Sequence, residues 1–114
     1  MALSQGALDR IADHVMSMYG ERVETVTWHH KATPTSSPTT STVSLVLHEY
    51  ALWEIDGEAI LRTDLRGRIP TADLAFTLTP YDEFVRSDST RWRVMAVRGG
   101  TRHAFWRPQC RQVA

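Results

Sequence analysis

The chain of 114 residues contains one cysteine and one lysine, and it has no long run of apolar residues. The single cysteine, Cys110, excludes an intrachain disulfide and a zinc site made of cysteines within one chain. No stretch approaches the roughly 18 consecutive apolar residues of a membrane span. The N-terminus lacks the basic region and the apolar run of a secretory signal peptide. We therefore expect a soluble protein made in the cytosol.

The length of the chain predicts a single domain over residues 1–114, with one modest core. Residues 1–60 carry three basic and eight acidic groups, a net charge of −5, and residues 61–114 carry ten arginines and five acids, a net charge of +5. This asymmetry suits a molecule that binds copies of itself head to tail, or one that touches two differently charged neighbours. A compact fold that mixes the two halves, leaving no dipolar surface, is the alternative.

An amphipathic pattern predicts one helix over residues 3–19. Apolar residues recur there at steps of three and four, which places them on one face. Ser4 is suited to the N-cap, and Gly20 lies where a left-handed C-cap belongs. We expect this helix to pack across the mouth of a barrel or against a neighbouring subunit, and to carry no chemistry.

Short strands separated by turn signals make up residues 22–111. A long strand over residues 43–55 is predicted to return through a hairpin turn at Asp56-Gly57 into a strand over residues 58–63. Gly67 predicts a further turn. Six or seven such strands and one helix indicate a mainly β fold, a small closed or nearly closed antiparallel barrel or sandwich.

The last third of the chain predicts a meander of three strands. Its second turn, Gly99-Gly100, joins strands over residues 91–97 and 102–107, because two adjacent glycines suit a type I′ hairpin turn. This register places Trp92 opposite Arg107 and leaves apolar side chains on both faces of the hairpin. One face belongs to the core, and the other needs a cover, most simply another subunit.

Residues 33–42 consist only of threonine, serine and proline. Such a run has no periodicity and cannot bury apolar surface, so it predicts a long exposed loop. Long loops in small domains tend to be functional, although a simple disordered insertion is the alternative. The loop residues are Thr33, Pro34, Thr35, Ser36, Ser37, Pro38, Thr39, Thr40, Ser41 and Thr42.

No pattern in the chain indicates an enzyme. His29 and His30 would point to opposite faces of a strand, so they cannot chelate one metal together. The serines lack a Gly-x-Ser-x-Gly elbow, and the glycines lack the helix start of a phosphate-binding loop. Asp56 and Asp64 are better explained as turn residues than as acid–base groups. We therefore predict no catalytic residue, no cofactor and no metal.

Arginines and aromatic residues interleave from residue 91 to residue 107, as they do on surfaces that bind single-stranded nucleic acid. No acidic residue follows Arg91. Cross-strand cation–π pairs within a hairpin explain the same pattern without a ligand. The residues that we predict to contact a partner are Arg91, Trp92, Arg93, Arg98, Arg102, Phe105, Trp106 and Arg107.

Small apolar and turn residues in the second half follow a recognisable order. It runs through Asp56-Gly57, Ile60, Thr63-Asp64, Arg68-Ile69-Pro70, Leu74, Pro80, Asp82 and Trp92-Arg93-Val94, which leads into Val97. In this order, residues 43–111 resemble the small head-closure (stopper, or head–tail joining) proteins in the neck of long-tailed bacteriophages and related gene-transfer particles. The shared pattern consists of hydrophobic and turn residues and contains no catalytic signature.

The resemblance implies a small β-barrel that forms a homo-oligomeric ring, twelve-fold, in the virion after assembly in the host cytoplasm. This ring would lie below the portal and adaptor and above the tail terminator or other tail proteins, with no membrane and no cofactor. It would line the exit channel and retain the packaged double-stranded DNA.

Within that ring, the loop over residues 33–42 is the candidate for a channel or gating segment, and its gating would be steric because it bears no charge. Arg91, Arg98 and Arg102 would meet acidic surfaces of adjoining rings, or the DNA in the channel. Two alternatives stay open. One is a tail terminator of the same neck, although terminators usually have a longer central helix, and the other is a small-barrel nucleic-acid-binding protein.

Overall fold

A computed structural model describes residues 4–100 and 103–113. These residues form one α-helix and six β-strands: α1 (Gln5–Tyr19), β1 (Glu24–His30), β2 (Thr39–Glu49), β3 (Leu65–Pro70), β4 (Glu83–Val85), β5 (Arg91–Gly99) and β6 (Phe105–Val113). Every paired strand is antiparallel, and the sheet closes in the order β1-β2-β3-β6-β5-β4. The prediction of a mainly β fold, an antiparallel barrel with one N-terminal helix, is confirmed.

The ends of α1 are fixed by local chemistry. The Ser4 hydroxyl accepts a hydrogen bond from the Ala7 amide at 3.1 Å, which satisfies one of the free donors of the first turn. Gly20 follows the last helical residue with a φ of 53°, a conformation that glycine adopts without strain. The C-terminal end of α1 is tied to the barrel, since Arg68 in β3 donates a hydrogen bond to the Tyr19 hydroxyl at 3.0 Å. Residue 3, the predicted start, lies outside the described residues.

The core fills the interior of the barrel with alternate side chains from all six strands. Trp28 in β1 and Phe84 in β4 are fully buried and stack with their ring centroids 5.0 Å apart. The buried cluster consists of Val26, Trp28, Val43, Leu45, Ile69, Leu78, Phe84, Trp92, Val94, Trp106 and Cys110. The three tryptophans are the largest side chains of this cluster, and an aromatic side chain buries roughly 150–250 Å².

The predicted register of the C-terminal hairpin is wrong. Gly99 and Gly100 both have positive φ values, but the turn does not close on them, and β6 begins only at Phe105. Trp92 consequently lies opposite Gln112 instead of Arg107. A slip of register changes which residues reach the core, and the observed pairing buries the tryptophans of both strands. The free energy of that burial outweighs the preference of two glycines for a two-residue turn.

The two faces of this hairpin differ in composition. The inner face carries Trp92, Val94 and Trp106, which are all buried. A bulge between Val94 and Ala96 adds one residue to β5, so that the inward alternation resumes at Val97. The outer face carries several arginines and also the apolar side chains of Met95 and Val113, each 37% exposed, so it is partly apolar as expected.

The segment between β2 and β3 differs from the predicted strands. β2 ends at Glu49, and residues 58–63 form no strand. Asp56 and Gly57 do reverse the chain, but locally: the Asp56 carboxylate accepts hydrogen bonds from the amides of Glu58 and Ile60, at 2.9 and 3.0 Å. This Asx-type turn holds the loop together without a hairpin ladder.

Gly67 lies within β3 and not in a turn. A Cβ atom at this position would come within 2.9 Å of the Pro108 Cγ atom, on the adjacent strand β6. Glycine is needed here because two backbones and a proline ring approach closely inside the barrel.

The Thr/Ser/Pro loop is shorter than predicted. β2 begins at Thr39, so Thr39–Thr42 are strand residues that pair with the end of β1. Threonine favours strands, and this preference explains the extension. In the remaining connection, residues 31–38, Ser36 closes a turn: its hydroxyl accepts from the Thr33 amide at 3.0 Å and lies 2.9 Å from the Thr33 carbonyl oxygen.

Candidate interaction surfaces

Asp82 is a fully buried carboxylate at the start of β4. It accepts hydrogen bonds from the Trp28 indole at 3.1 Å and from the Lys31 amide at 2.8 Å, and His30 Nδ1 lies 2.9 Å from its Oδ1 atom. The Thr79 hydroxyl lies within hydrogen-bond distance of Asp82 and of the Lys31 carbonyl oxygen. A buried charge is tolerated when it is bonded in this way. Asp82 thus fixes the point where the Thr/Ser/Pro connection leaves the barrel.

Asp64 is the second buried carboxylate, with 1% of its surface exposed. Arg111 in β6 holds both of its oxygens, with Nε–Oδ1 and Nη2–Oδ2 distances of 2.9 Å, and the Leu61 amide and the Gln109 side chain donate to it as well. Burial alone would raise the pKa of Asp64, but these hydrogen bonds outweigh it and keep the pKa below the ordinary value. Through these hydrogen bonds, Asp64 connects β6 to the loop before β3. This role goes beyond the turn role that was expected from the sequence.

We expect the variant Asp64→Asn to lose about 2 kcal/mol of unfolding free energy at pH 7. A carboxyl whose pKa is depressed by folding stabilises the fold above its unfolded pKa of about 3.9, and this contribution is lost as the pH falls through the folded pKa. The difference between wild type and variant should accordingly shrink below about pH 4. Urea denaturation of wild type and variant at pH 7, 5 and 3 measures this difference in unfolding free energy.

Asp73 provides a control of opposite sign. Burial, together with the charges of Asp13 and Asp9, raises the pKa of Asp73, so its charged form is disfavoured in the folded state. Asp73→Asn should therefore stabilise the protein slightly at pH 7, with no gain at pH 3. A destabilisation by Asp64→Asn that stays constant down to pH 3 would show that Asp64 acts through shape and not through its charge.

Leu52 and Trp53 are the most exposed large apolar side chains among the described residues, at 79% and 85%. They lie in a short 3₁₀ turn, Leu52–Glu54, which we call the Trp53 turn. The turn is braced, because the Glu54 carboxylate accepts from the Ala51 amide at 2.9 Å and lies 3.5 Å from Arg66. Its backbone is held in place while two apolar side chains project into solvent, which is typical of an interaction site.

The Trp53 turn lies in an acidic stretch of the sequence, within which Glu54 is paired with Arg66. Glu49, Glu54, Asp56 and Glu58 lie within ten residues, and no basic residue occurs from residue 49 to residue 61. A partner of this turn should therefore offer an apolar surface together with a positive charge.

Such a surface occurs elsewhere on the same chain. A shallow groove of about 280 Å³, here called the tyrosine groove, is lined by Lys31, Pro34, Tyr81, Glu83, Arg93 and Val113. Tyr81 and Val113 keep more than a third of their surface exposed. Among the described residues, no carboxylate lies within 4.0 Å of the Arg93 guanidinium. An aromatic side chain that enters this groove would meet apolar contacts and a free arginine.

The eight residues predicted to contact a partner differ in how far they are exposed. Trp92 and Trp106 are removed from this set, because both are buried in the barrel. Phe105 is half-buried, with the Arg68 guanidinium 5.2 Å from its ring centroid. Arg102 lies outside the described residues. The exposed members of the set are Arg91, Arg93, Arg98 and Arg107.

This difference in exposure weakens the case for binding of single-stranded nucleic acid. Base stacking needs exposed aromatic faces on the basic surface. The Trp92 ring is buried and its indole donates to the Thr90 hydroxyl at 2.9 Å, while Trp106 packs in the core cluster. Neither of these two tryptophans therefore offers an exposed ring on which a base could stack beside the basic residues of β5 and β6.

Burial and the charge of Asp64 raise the pKa of the Cys110 thiol, so Cys110 is a core residue and not an activated nucleophile. Within residues 4–100 and 103–113, no three His, Cys, Asp or Glu side chains are placed to hold a metal ion. The described part of the chain contains no helix of the length and apolar character needed to cross a membrane.

No family model, no curated protein and no solved structure matches this chain.

Proposed function

We propose that this chain is a structural subunit of the neck of a long-tailed bacteriophage. In this proposal it is a head-closure (stopper) protein, which forms a ring in the virion between the portal and adaptor on one side and the tail on the other. The observation that carries the proposal is the presence of two different, complementary surfaces on one small barrel. The Trp53 turn, in an acidic stretch of the sequence, projects, and the tyrosine groove, which carries Lys31 and Arg93 beside Glu83, is open.

Two different surfaces that bind each other make a head-to-tail contact, and repeated head-to-tail contacts close into a ring or continue as a filament. The barrel itself favours side-chain contacts, because a closed sheet has no free edge to which a neighbouring strand could add. The Trp53 turn of one copy, inserted into the tyrosine groove of the next, would bury the two most exposed apolar side chains. A second copy of this chain is the occupant that we infer.

The position of the Thr/Ser/Pro connection fits the same proposal. Lys31 and Pro34, at its beginning, line the tyrosine groove. Its base is fixed by Asp82, whereas most of residues 32–38 are exposed. In a ring, this connection would lie beside the subunit contact and would be free to narrow a channel. Any gating would be steric, since residues 32–38 bear no charge.

A tail terminator of the same neck would form a ring by the same kind of contact. The barrel and the single N-terminal helix favour head closure, because terminators usually have a longer central helix. The two functions differ in the neighbour that the ring binds, which is the portal and adaptor complex for a head-closure protein.

The experiment is to measure mass by size-exclusion chromatography with light scattering over a range of protein concentrations, and to image the assemblies by negative-stain electron microscopy. We expect rings with a central opening, formed by the protein alone or on an added portal and adaptor complex. Antibody detection in purified particles tests the location. A chain that stays monomeric with that complex present, and is absent from the particles, would contradict the proposal.

A further inference from the structure

A second groove, of about 370 Å³, lies on the outer wall of the barrel. We call it the arginine groove, and it is lined by Tyr50, Glu54, Ile60, Arg66, Ala96, Arg98, Arg107 and Gln109. Its three arginines come from three adjacent strands: Arg66 from β3, Arg107 from β6 and Arg98 from β5. It is larger than the tyrosine groove, and the two surfaces share no residue.

The charges in the arginine groove do not balance. Arg98 and Arg107 lie directly opposite each other in the β5–β6 ladder, an arrangement of like charges that destabilises a sheet. No carboxylate of the described residues lies within 4.0 Å of either one. Glu54 lies 3.5 Å from Arg66 and is, among the described residues, the only acid that lines the groove. Three positive groups thus face one negative group.

Tyr50 is a further polar residue of the arginine groove, and its hydroxyl is a hydrogen-bond donor. Burial raises the pKa of the Tyr50 hydroxyl to about 12, so this hydroxyl keeps its proton at neutral pH. The Arg66 guanidinium lies over the Tyr50 ring, 5.3 Å from its centroid, which holds the two side chains together. A group bound in the groove would therefore meet donors and positive charge, with Glu54 as the one opposing charge.

We propose that the arginine groove binds a phosphate group. Guanidinium groups bind phosphate oxygens in pairs, and a phosphate would neutralise the opposed Arg98 and Arg107. The groove is at the small end of ligand sites, which suits a single phosphate better than a large ligand. The bound phosphate group belongs either to inorganic phosphate or a small phosphate monoester, or to the phosphodiester backbone of a nucleic acid. This site goes beyond the proposed ring contact, with which it shares only Glu54.

The test is isothermal titration calorimetry at low salt with two probes, inorganic phosphate and a short duplex DNA. The variants are Arg107→Gln and, as a control, Arg10→Gln, which removes an exposed arginine of α1 that lines neither groove. We expect Arg107→Gln to weaken binding at least about tenfold, and Arg10→Gln to change it less than about twofold. Without ligand, Arg107→Gln should raise the melting temperature, because it removes the repulsion with Arg98.

Binding of inorganic phosphate that depends on Arg107 indicates a small phosphate ligand, and binding of the duplex alone with the same dependence indicates a nucleic acid backbone. Both outcomes support the site. Absence of binding by both probes overturns it, as does equal weakening by Arg10→Gln, which indicates general attraction to a basic protein surface. The ring proposal fails independently, because it depends on Arg93 and Trp53 and not on Arg107.

Discussion

Replacing Asp82 with alanine is expected to lower the free energy of unfolding by about 3–5 kcal/mol, the usual cost of removing one partner from a buried charged network. The variant leaves the buried Trp28 indole and the partly buried Lys31 amide as donors without this acceptor. Each unsatisfied donor costs about 1–3 kcal/mol. Since a domain has only about 5–15 kcal/mol of stability in total, much of this protein should be unfolded at physiological temperature.

Asp82→Asn tests whether shape alone is sufficient. The asparagine side chain has nearly the same size, but one of its two acceptor oxygens is replaced by an amide that donates. That amide would face either the Trp28 indole or the Lys31 amide, both of which are donors. We therefore expect Asp82→Asn to lose most of the stability that Asp82→Ala loses, and Asp13→Ala, on the exposed face of α1, to change it by less than about 0.5 kcal/mol.

Urea denaturation at pH 7 measures all three variants, with the slope of the transition as a check on two-state behaviour. A loss below 1 kcal/mol for Asp82→Ala would mean that water reaches the site and satisfies the donors. Rescue by Asp82→Asn would mean that neither the charge nor the second acceptor oxygen of Asp82 is required.

The class of fold could be predicted from the sequence because it depends on local patterns. The helix has a 3.6-residue period with Ser4 and Gly20 at its ends, and its signals lie within a few residues of one another. Alternating strands without intervening helices leave few architectures for one small domain other than an antiparallel barrel or sandwich. Each of these signals is readable without knowing which segments meet in space.

The register could not be predicted, since it depends on contacts between distant residues. Two glycines favour a tight turn at residues 99–100, but the strands are aligned by the burial of Trp92 and Trp106 in a core that also contains Trp28. The bulge after Val94 changes the inward alternation of β5, and no residue type marks it in the sequence.

The Trp53 turn could not be predicted for a related reason. Residues 43–55 are mostly apolar and read as one continuous strand, but the ladder with β3 ends where Glu49 pairs with Leu65. Beyond that pair, Leu52 and Trp53 have no strand to pack against and project outward. Only the length of the partner strand distinguishes an exposed tryptophan from a core one. The connecting role of Asp64 likewise depends on Arg111, 47 residues away in the sequence.

Replacing Trp53 with alanine should abolish ring formation while leaving the monomer intact. Central aromatic residues of an interface contribute about 2–4 kcal/mol, which corresponds to a roughly 30- to 1000-fold weaker contact. Each subunit of a ring makes two such contacts, so the whole assembly should be lost. The side chain is 85% exposed, and its removal should change the unfolding free energy by less than about 0.5 kcal/mol.

Met18→Ala is the matched control, because Met18 is a large apolar side chain, 73% exposed on α1, that belongs to neither surface of the proposed contact. Light scattering should detect wild-type assemblies for this variant and monomers for Trp53→Ala. If Met18→Ala disrupts assembly as strongly, the apolar contact between copies lies on the helix. If Trp53→Ala still forms rings, the Trp53 turn serves some other partner.

A double-mutant cycle decides whether the Trp53 turn meets the tyrosine groove. Arg93→Gln alone should weaken self-association, since it removes the cation expected to lie against the indole. If the two residues touch across the interface, the double variant should lose less than the sum of the single losses, with a coupling of about 0.5–3 kcal/mol. Strict additivity would place them in separate contacts. The cycle thus tests the geometry of the ring directly, because two copies can be coupled through these residues only if one copy's projection enters the other's groove.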